Sequence, residues 1–161
     1  MSGTNQLSKS AQTVQDALAS RGLSLKVVEF PASTRTAQDA ATAIGCTVAQ
    51  IVKSLIFRTS VTHRPVLVLV SGVNRVNEKI LEQQIGEKIE KADAEFAREA
   101  TGFAIGGIPP VGHKQRIQTF IDADLLNYKE IWAAAGTPNA VFCLESVHLV
   151  PLTHGTVITV K

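Results

Sequence analysis

The segment RPVLVLVSG, residues 64–72, decides how this chain folds. Val66, Leu67, Val68, Leu69 and Val70 follow one another without a polar residue between them. A strand with one wet face alternates apolar and polar side chains. This unbroken run therefore predicts a strand covered on both faces, at the centre of a sheet. Just before it, IVKSLIFRT at 51–59 reads as a second β-rich segment, entered through a short helical turn that Thr47 and Gln50 cap reciprocally.

Working outward in both directions extends the pattern. Leu7, Ala11, Val14 and Leu18 fall at helical spacing with Gly22 just beyond, and LSLKVVEF at 23–30 reads as a strand. Thr36 with Asp39 opens an alanine-rich helix that Gly45 stops. Downstream, Asn77 and Asp93 cap the helices NEKILEQQIG and AEFAREATG, ended by Gly86 and Gly102. RIQTFID at 116–122, NAVFCLES at 139–146 and TVITV at 156–160 read as strands, and YKEIWAAAG at 128–136 reads as a helix. The expected fold class is a single α+β domain, a mixed sheet with helices around it.

Composition bounds the function. A chain of 161 residues, 45% of them hydrophobic, builds a core without disulfides or metals. Cys46 and Cys143, distant in sequence and each beside apolar neighbours, suggest neither a metal cluster nor a disulfide framework and fit a reducing cytoplasm. No stretch approaches the ~18 apolar residues of a membrane span, and MSGTNQLSKSAQ lacks a signal core, so a soluble cytoplasmic protein with no membrane partner is expected. A net charge of +2 permits contact with a few phosphates but falls short of a dedicated nucleic-acid binder, and no DNA partner is expected.

Familiar catalytic signatures are missing: there is no G-x-S-x-G, no G-x-x-x-x-G-K-[ST], no H-E-x-x-H and no C-x-x-C. His63, His113, His148 and His154 show no metal-ligand spacing, so no metal is expected, and Cys143 in VFCLE reads as strand interior. Lys53 stands out because it interrupts the apolar IVKSLIF stretch. Either its stem snorkels and the ammonium reaches water, or a fixed ammonium beside a cleft anchors an anionic ligand. A second anomaly is AIGGIPPVGHK at 104–114, which packs Gly106, Gly107, Pro109, Pro110 and Gly112 into seven positions. A tight turn needs fewer residues with special backbone angles.

QIVKSLIF at 50–57, VLVLVSG at 66–72 and especially TGFAIGGIPPVGHKQRIQTFID at 101–122 resemble the YbaK/prolyl-tRNA synthetase editing-domain family, and the helix–strand order extends the resemblance over nearly the whole chain. The resemblance implies one editing domain over 1–161 with a curved, barrel-like sheet. It implies a free-standing enzyme without cofactor that hydrolyses the ester of wrongly charged tRNA in trans. The acylated tRNA 3′ end is then the partner, and an aminoacyl-tRNA synthetase a second one. Lys53 stands at the position of the family's functional lysine, and Gly106, Gly107, Pro110 and Gly112 match its pocket loop. Pro109 replaces a serine of many relatives, and Ser54 follows the lysine where some alanine-specific relatives carry asparagine. Asp122 either orients loop or substrate groups or simply starts a turn; His113 is either part of the site or a solvent-facing residue at the edge of the next strand.

On this reading glycines let the backbone approach a ligand and prolines hold the loop in shape. Amides of Gly107, Ile108 or Gly112 are candidates to polarise the ester carbonyl, with a positioned water, the terminal ribose hydroxyl and no protein nucleophile. Lys53 is expected to anchor phosphate rather than the substrate's α-amino group, since two cations repel. A small pocket implies a small acyl group, cysteine or alanine on proline tRNA. Arg58, Arg64, Arg75, Lys79, Lys114 and Arg116 are candidate phosphate contacts. The alternatives are a non-catalytic tRNA- or synthetase-binding module of the same fold, and a hydrolase of small esters unrelated to tRNA.

Overall fold

The computed structural model describes residues 6–31 and 36–161. Its elements are α1 (Lys9–Ser20), β1 (Val28–Glu29), α2 (Ala37–Ile44), β2 (Val52–Thr59), β3 (Pro65–Ser71), α3 (Glu78–Ile85), β4 (Ile89–Lys91), α4 (Ala94–Thr101), β5 (Gln118–Asp122), β6 (Glu130–Ala134), β7 (Ala140–Glu145), α5 (Leu149–Thr153) and β8 (Thr156–Ile158). Short 3-10 turns occupy Val48–Gln50, Ala123–Asn127 and Ser146–His148.

β3 lies at the centre of a five-stranded sheet of order β4-β2-β3-β5-β8, antiparallel to β2 and parallel to β5. Its two faces are both covered, as the apolar run predicts. Leu67 and Leu69 join Val14 and Leu18 of α1 in the larger core cluster, while Val66, Val68 and Val70 join Leu81 of α3 in a second one. A parallel step from β3 to β5 needs a long crossover, and α3, β4, α4 and the glycine loop supply it. The helix caps form where expected: Thr36, Asn77 and Asp93 each accept an N–H from the first turn of the helix they open.

A second, antiparallel sheet has the order β1-β7-β6. Among the described residues the two sheets are joined by one bridge, Ile51 to Trp132, and they enclose the larger cluster between Ile56 on one side and Ile131, Phe142 and Leu144 on the other. The chain is α+β with mixed pairing. The strands form two sheets rather than the one barrel-like sheet expected, and among the described residues no ladder joins them beyond that bridge; β2 meets β4 only at residues 57–59. The N-terminal half of β2 is thereby left with an open edge.

YKEIWAAAG is not a helix. Its residues 130–134 pair with β7 from Glu130↔Glu145 to Ala134↔Val141, and Ile131 and Ala133 are buried while their neighbours are not. That alternation is the strand period, and pairing with β7 overrides the helical propensity of the alanines. Small residues are present because space is short. A Cβ on Gly136, for example, would lie 2.6 Å from the Ser10 carbonyl oxygen of α1. LSLKVVEF is a strand only at Val28–Glu29, which pairs with Val141 and Ala140. Leu23 and Leu25 pack against the larger cluster without a partner strand. β4 and α5 had no sequence reading.

Candidate functional site

A cavity of about 430 Å³ lies along the open half of β2, a size that suits a small ligand. Val52 to Leu55 of β2, Trp132, Ala133 and Ala134 of β6, Ala37 and Ala40 of α2 and the loop residues Ile105, Gly106 and Ile108 line it. Lys53 is the one ionisable side chain among its described lining residues. The strand and the glycine loop, distant in sequence, thus share one cavity.

Along β2, Val52 and Ile56 belong to the larger core cluster while Leu55 and Phe57 pack with the second, so Lys53 has the parity of the latter pair. Its ammonium donates to the Asn74 carbonyl at 2.6 Å. Burial pulls the Lys53 pKa below the usual lysine value, the Arg75 charge adds to this, and Asp122 opposes it. Asn74 is itself fixed, its Nδ2 donating at 2.8 Å to Asp122 Oδ2 and at 2.8 Å to Asp124 Oδ2. Buried Asp122 also accepts from the Ser71 amide at 3.0 Å and the Asp124 amide at 2.9 Å. It does not line the cavity. It starts the turn at Asp124 and fixes the side chain of Asn74, whose carbonyl holds the lysine.

Ser54 lines the cavity, and its hydroxyl oxygen is enclosed without a hydrogen-bond partner. Such a group is costly to leave unmade, by about 1–3 kcal/mol, and is available to a bound polar atom.

The glycine loop divides. Gly106 has φ +96°, a conformation few side chains tolerate. Gly107 is required for space instead, since a Cβ there would lie 2.7 Å from Thr137 Cα. Its amide donates to the Ala104 carbonyl at 3.0 Å, and its own carbonyl accepts from Gly136 at 2.8 Å. The expectation that the Gly107 amide serves as an oxyanion donor is therefore corrected: that N–H is already engaged in the turn. The amides of Gly106 and Ile108 have no protein acceptor among the described residues. Pro110, Gly112 and His113 line a different cavity, of about 770 Å³, and are not brought together with Lys53. His113 donates a ring N–H to the Pro109 carbonyl at 2.6 Å. Burial lowers its pKa, the Pro109 contact opposes this, and the Arg21 charge lowers it further.

Sequence reasoning missed Gly72, Asn74, Trp132, Ala133 and Ala134. Gly72 ends the segment that fixed the central strand, and a Cβ there would sit 2.4 Å from the Val48 carbonyl oxygen. The β6 residues were hidden by the helical reading of their alanines. Two candidate phosphate contacts are already engaged: Arg58 pairs with Glu90 and lies 5.5 Å from the Phe96 ring centre, and Arg64 is 3.7 Å from Glu87.

Residues 31–152 match the family model of the aminoacyl-tRNA editing domain. The protein YwhH of Bacillus subtilis, itself uncharacterized, is 30% identical over 123 residues, which is 76% of this chain and 78% of that protein. A "putative Cys-tRNA(Pro)/Cys-tRNA(Cys) deacylase EbsC" of Enterococcus faecalis is 28% identical over 110 residues, 65% of this chain and 67% of that one. The crystal structure of a "putative trans-editing enzyme for prolyl tRNA synthetase" superposes with a TM-score of 0.92 at 49% identity, covering 97% of this chain and 99% of the other.

Proposed function

Because this chain belongs to the aminoacyl-tRNA editing-domain family, we propose that it hydrolyses the ester joining a small, wrongly attached amino acid to the 3′ end of tRNA, with proline tRNA as its carrier. The observation that carries this reading is the shared cavity, in which Lys53 is the one described ionisable lining residue and which it shares with the glycine loop and small side chains of β6. An ammonium has three donors, and the Asn74 carbonyl takes one. Two remain for a phosphate oxygen of the terminal nucleotide.

An aminoacyl ester is already activated, so no protein nucleophile is needed. Water adds to the ester carbonyl, the developing oxyanion is met by the Gly106 and Ile108 amides, and the carbon–oxygen bond to the ribose breaks. The proton lost by the water ends on the departing ribose oxygen, giving free amino acid and intact tRNA. Ser54 contributes its unpaired hydroxyl to the substrate, and Asp122 positions Lys53 through Asn74. The acyl group rests between Ala133, Ala134 and Trp132. A synthetase separates side chains differing by a methylene by only ~1–3 kcal/mol, which is why small acyl groups call for a separate hydrolytic site. The names of the deacylase and trans-editing relatives support cysteine on proline tRNA and a prolyl-tRNA synthetase as partner, and alanine is the other acyl group small enough for the same pocket.

The test is release of amino acid from tRNAs charged with Ala, Cys, Ser, Thr or Pro, by the protein and by Lys53→Ala. Lysine-dependent release of a small residue from proline tRNA is expected. Release from none of them would point instead to a non-catalytic tRNA- or synthetase-binding module, and release from free amino-acid esters without RNA to a small-ester hydrolase.

A further inference from the structure

Building on that reading, we infer that the second cavity is a seat for the phosphodiester backbone of the RNA whose acylated end occupies the first. This cavity, of about 770 Å³, lies between the end of α1, the far half of the glycine loop, the approach to β5 and residues 152–156. Arg21, Lys114 and Arg116 line it together with His113 and His154, and no aspartate or glutamate does. The whole chain carries 16 Lys and Arg against 14 Asp and Glu, so three cations without an acid is a local segregation of charge. None of the three forms an ion pair; among the described residues the pairs are Arg58–Glu90, Arg64–Glu87 and Lys161–Asp124.

Two of these cations are held in place. Arg21 donates from Nη1 to the Leu152 carbonyl at 3.0 Å. The stem of Lys114 lies over Gly102, where a Cβ would come within 2.8 Å of Lys114 Cγ. Unpaired cations fixed around one hollow repel each other, and a polyanion removes that repulsion. RNA is the occupant the geometry favours because the wall is shared. Ile108 lines the first cavity and Pro110 the second, and residues two apart are separated by at most about 7 Å. A strand ending at Gly106 and Ile108 crosses the loop and enters the basic hollow within a few nucleotides.

The experiment measures binding of an uncharged proline tRNA transcript by fluorescence anisotropy as salt rises from about 50 to 200 mM, so that it does not depend on hydrolysis. Each neutralised phosphate adds ~0.7 to the log–log salt slope for a single strand; three add ~2, or roughly 20-fold in affinity over that range. The expected result is that R21Q/K114Q/R116Q loses this dependence, that K114Q/R116Q loses about two thirds of it, and that R58Q/R64Q keeps it. A wild-type slope in the triple variant with its melting temperature intact would overturn the assignment, as would loss of the slope in R58Q/R64Q. Displacement of the RNA by inorganic phosphate at matched ionic strength would also overturn it, in favour of a small-anion site. Loss of deacylation with this salt signature retained would instead count against the hydrolytic reading alone.

Discussion

The ammonium of Lys53 and the carbonyl oxygen of Asn74 lie 2.6 Å apart. The described cation of the first cavity is therefore held by the turn that ends the central strand, and that turn is tied through Asn74 to Asp122 and Asp124.

Replacing Lys53 by methionine should remove activity while sparing the fold. A charge-assisted contact is worth about 1.5–3 kcal/mol, so deacylation is expected to fall roughly 10- to 150-fold. Burial lowers the Lys53 pKa from 10.5, so the charged form is disfavoured in the native state. That cost is present at neutral pH and is relieved as pH rises toward 10.5. The melting temperature of the variant at pH 7 should accordingly equal or exceed that of the wild type; a large drop would contradict this account of the lysine.

Asp122→Asn should disturb the lysine without touching the cavity. One of the donors from Ser71, Asn74 or Asp124 loses its acceptor, at about 1–3 kcal/mol of stability. The charge that supports the Lys53 ammonium also disappears, so the lysine loses its proton at a lower pH. The alkaline fall of kcat, corrected for spontaneous ester hydrolysis, should move to lower pH. A merely structural aspartate would lower the melting temperature and leave that limb in place.

Gly107→Ala places a methyl against the backbone of Thr137, and overpacking of this kind costs about 1–3 kcal/mol. Thermal unfolding should show that loss. The displaced loop should raise KM for charged tRNA, because Gly106 and Ile108 line the cavity on either side of this residue.

Glu87 is held at a pKa of about 2, chiefly by the Thr62 amide, with burial opposing and the Val61 amide and the Thr62 hydroxyl assisting. A carboxylate lowered from 4.5 adds stability that is complete above 4.5 and lost as pH falls toward 2. Protection of the Val61 and Thr62 amides against hydrogen exchange, relative to their intrinsic rates at each pH, should fall through that interval, and Glu87→Gln should show the lower protection already at neutral pH.

His113 titrates in the opposite sense from a stabilising histidine. Its folded pKa lies below 6.5, so as pH falls through 6.5 the unfolded chain binds the proton first and stability declines until the folded pKa is passed. His113→Asn should flatten that part of the stability–pH curve; an unchanged slope would show that the ring is not shielded.

Much of this was legible in the residues. The apolar run at 66–70, rich in valine, pointed to a doubly covered strand, and the side chains of Thr36, Asn77 and Asp93 marked helix starts because capping is a local event. Lys53 and the glycine loop were visible as anomalies for the same reason: each breaks a local rule. What escaped depended on distant partners. The alanines of 133–135 favour a helix until β7 is beside them. Residues 23–27 leave the sheet although β7 runs on to Glu145, because Leu23 and Leu25 turn into the core instead. The division of the loop between two cavities was also out of reach, since nothing in AIGGIPPVGHK separates Ile108 from Pro110.

Strands β2 and β6, which both line the cavity, belong to different sheets, bridged among the described residues at Ile51 and Trp132 alone. Substitutions on β6 therefore alter the cavity lining without passing through the β2–β3–β5 ladder that carries Lys53. On the proposed reading, a lineage built on this scaffold drifts from one misloaded amino acid to another while its grip on the carrier is inherited unchanged.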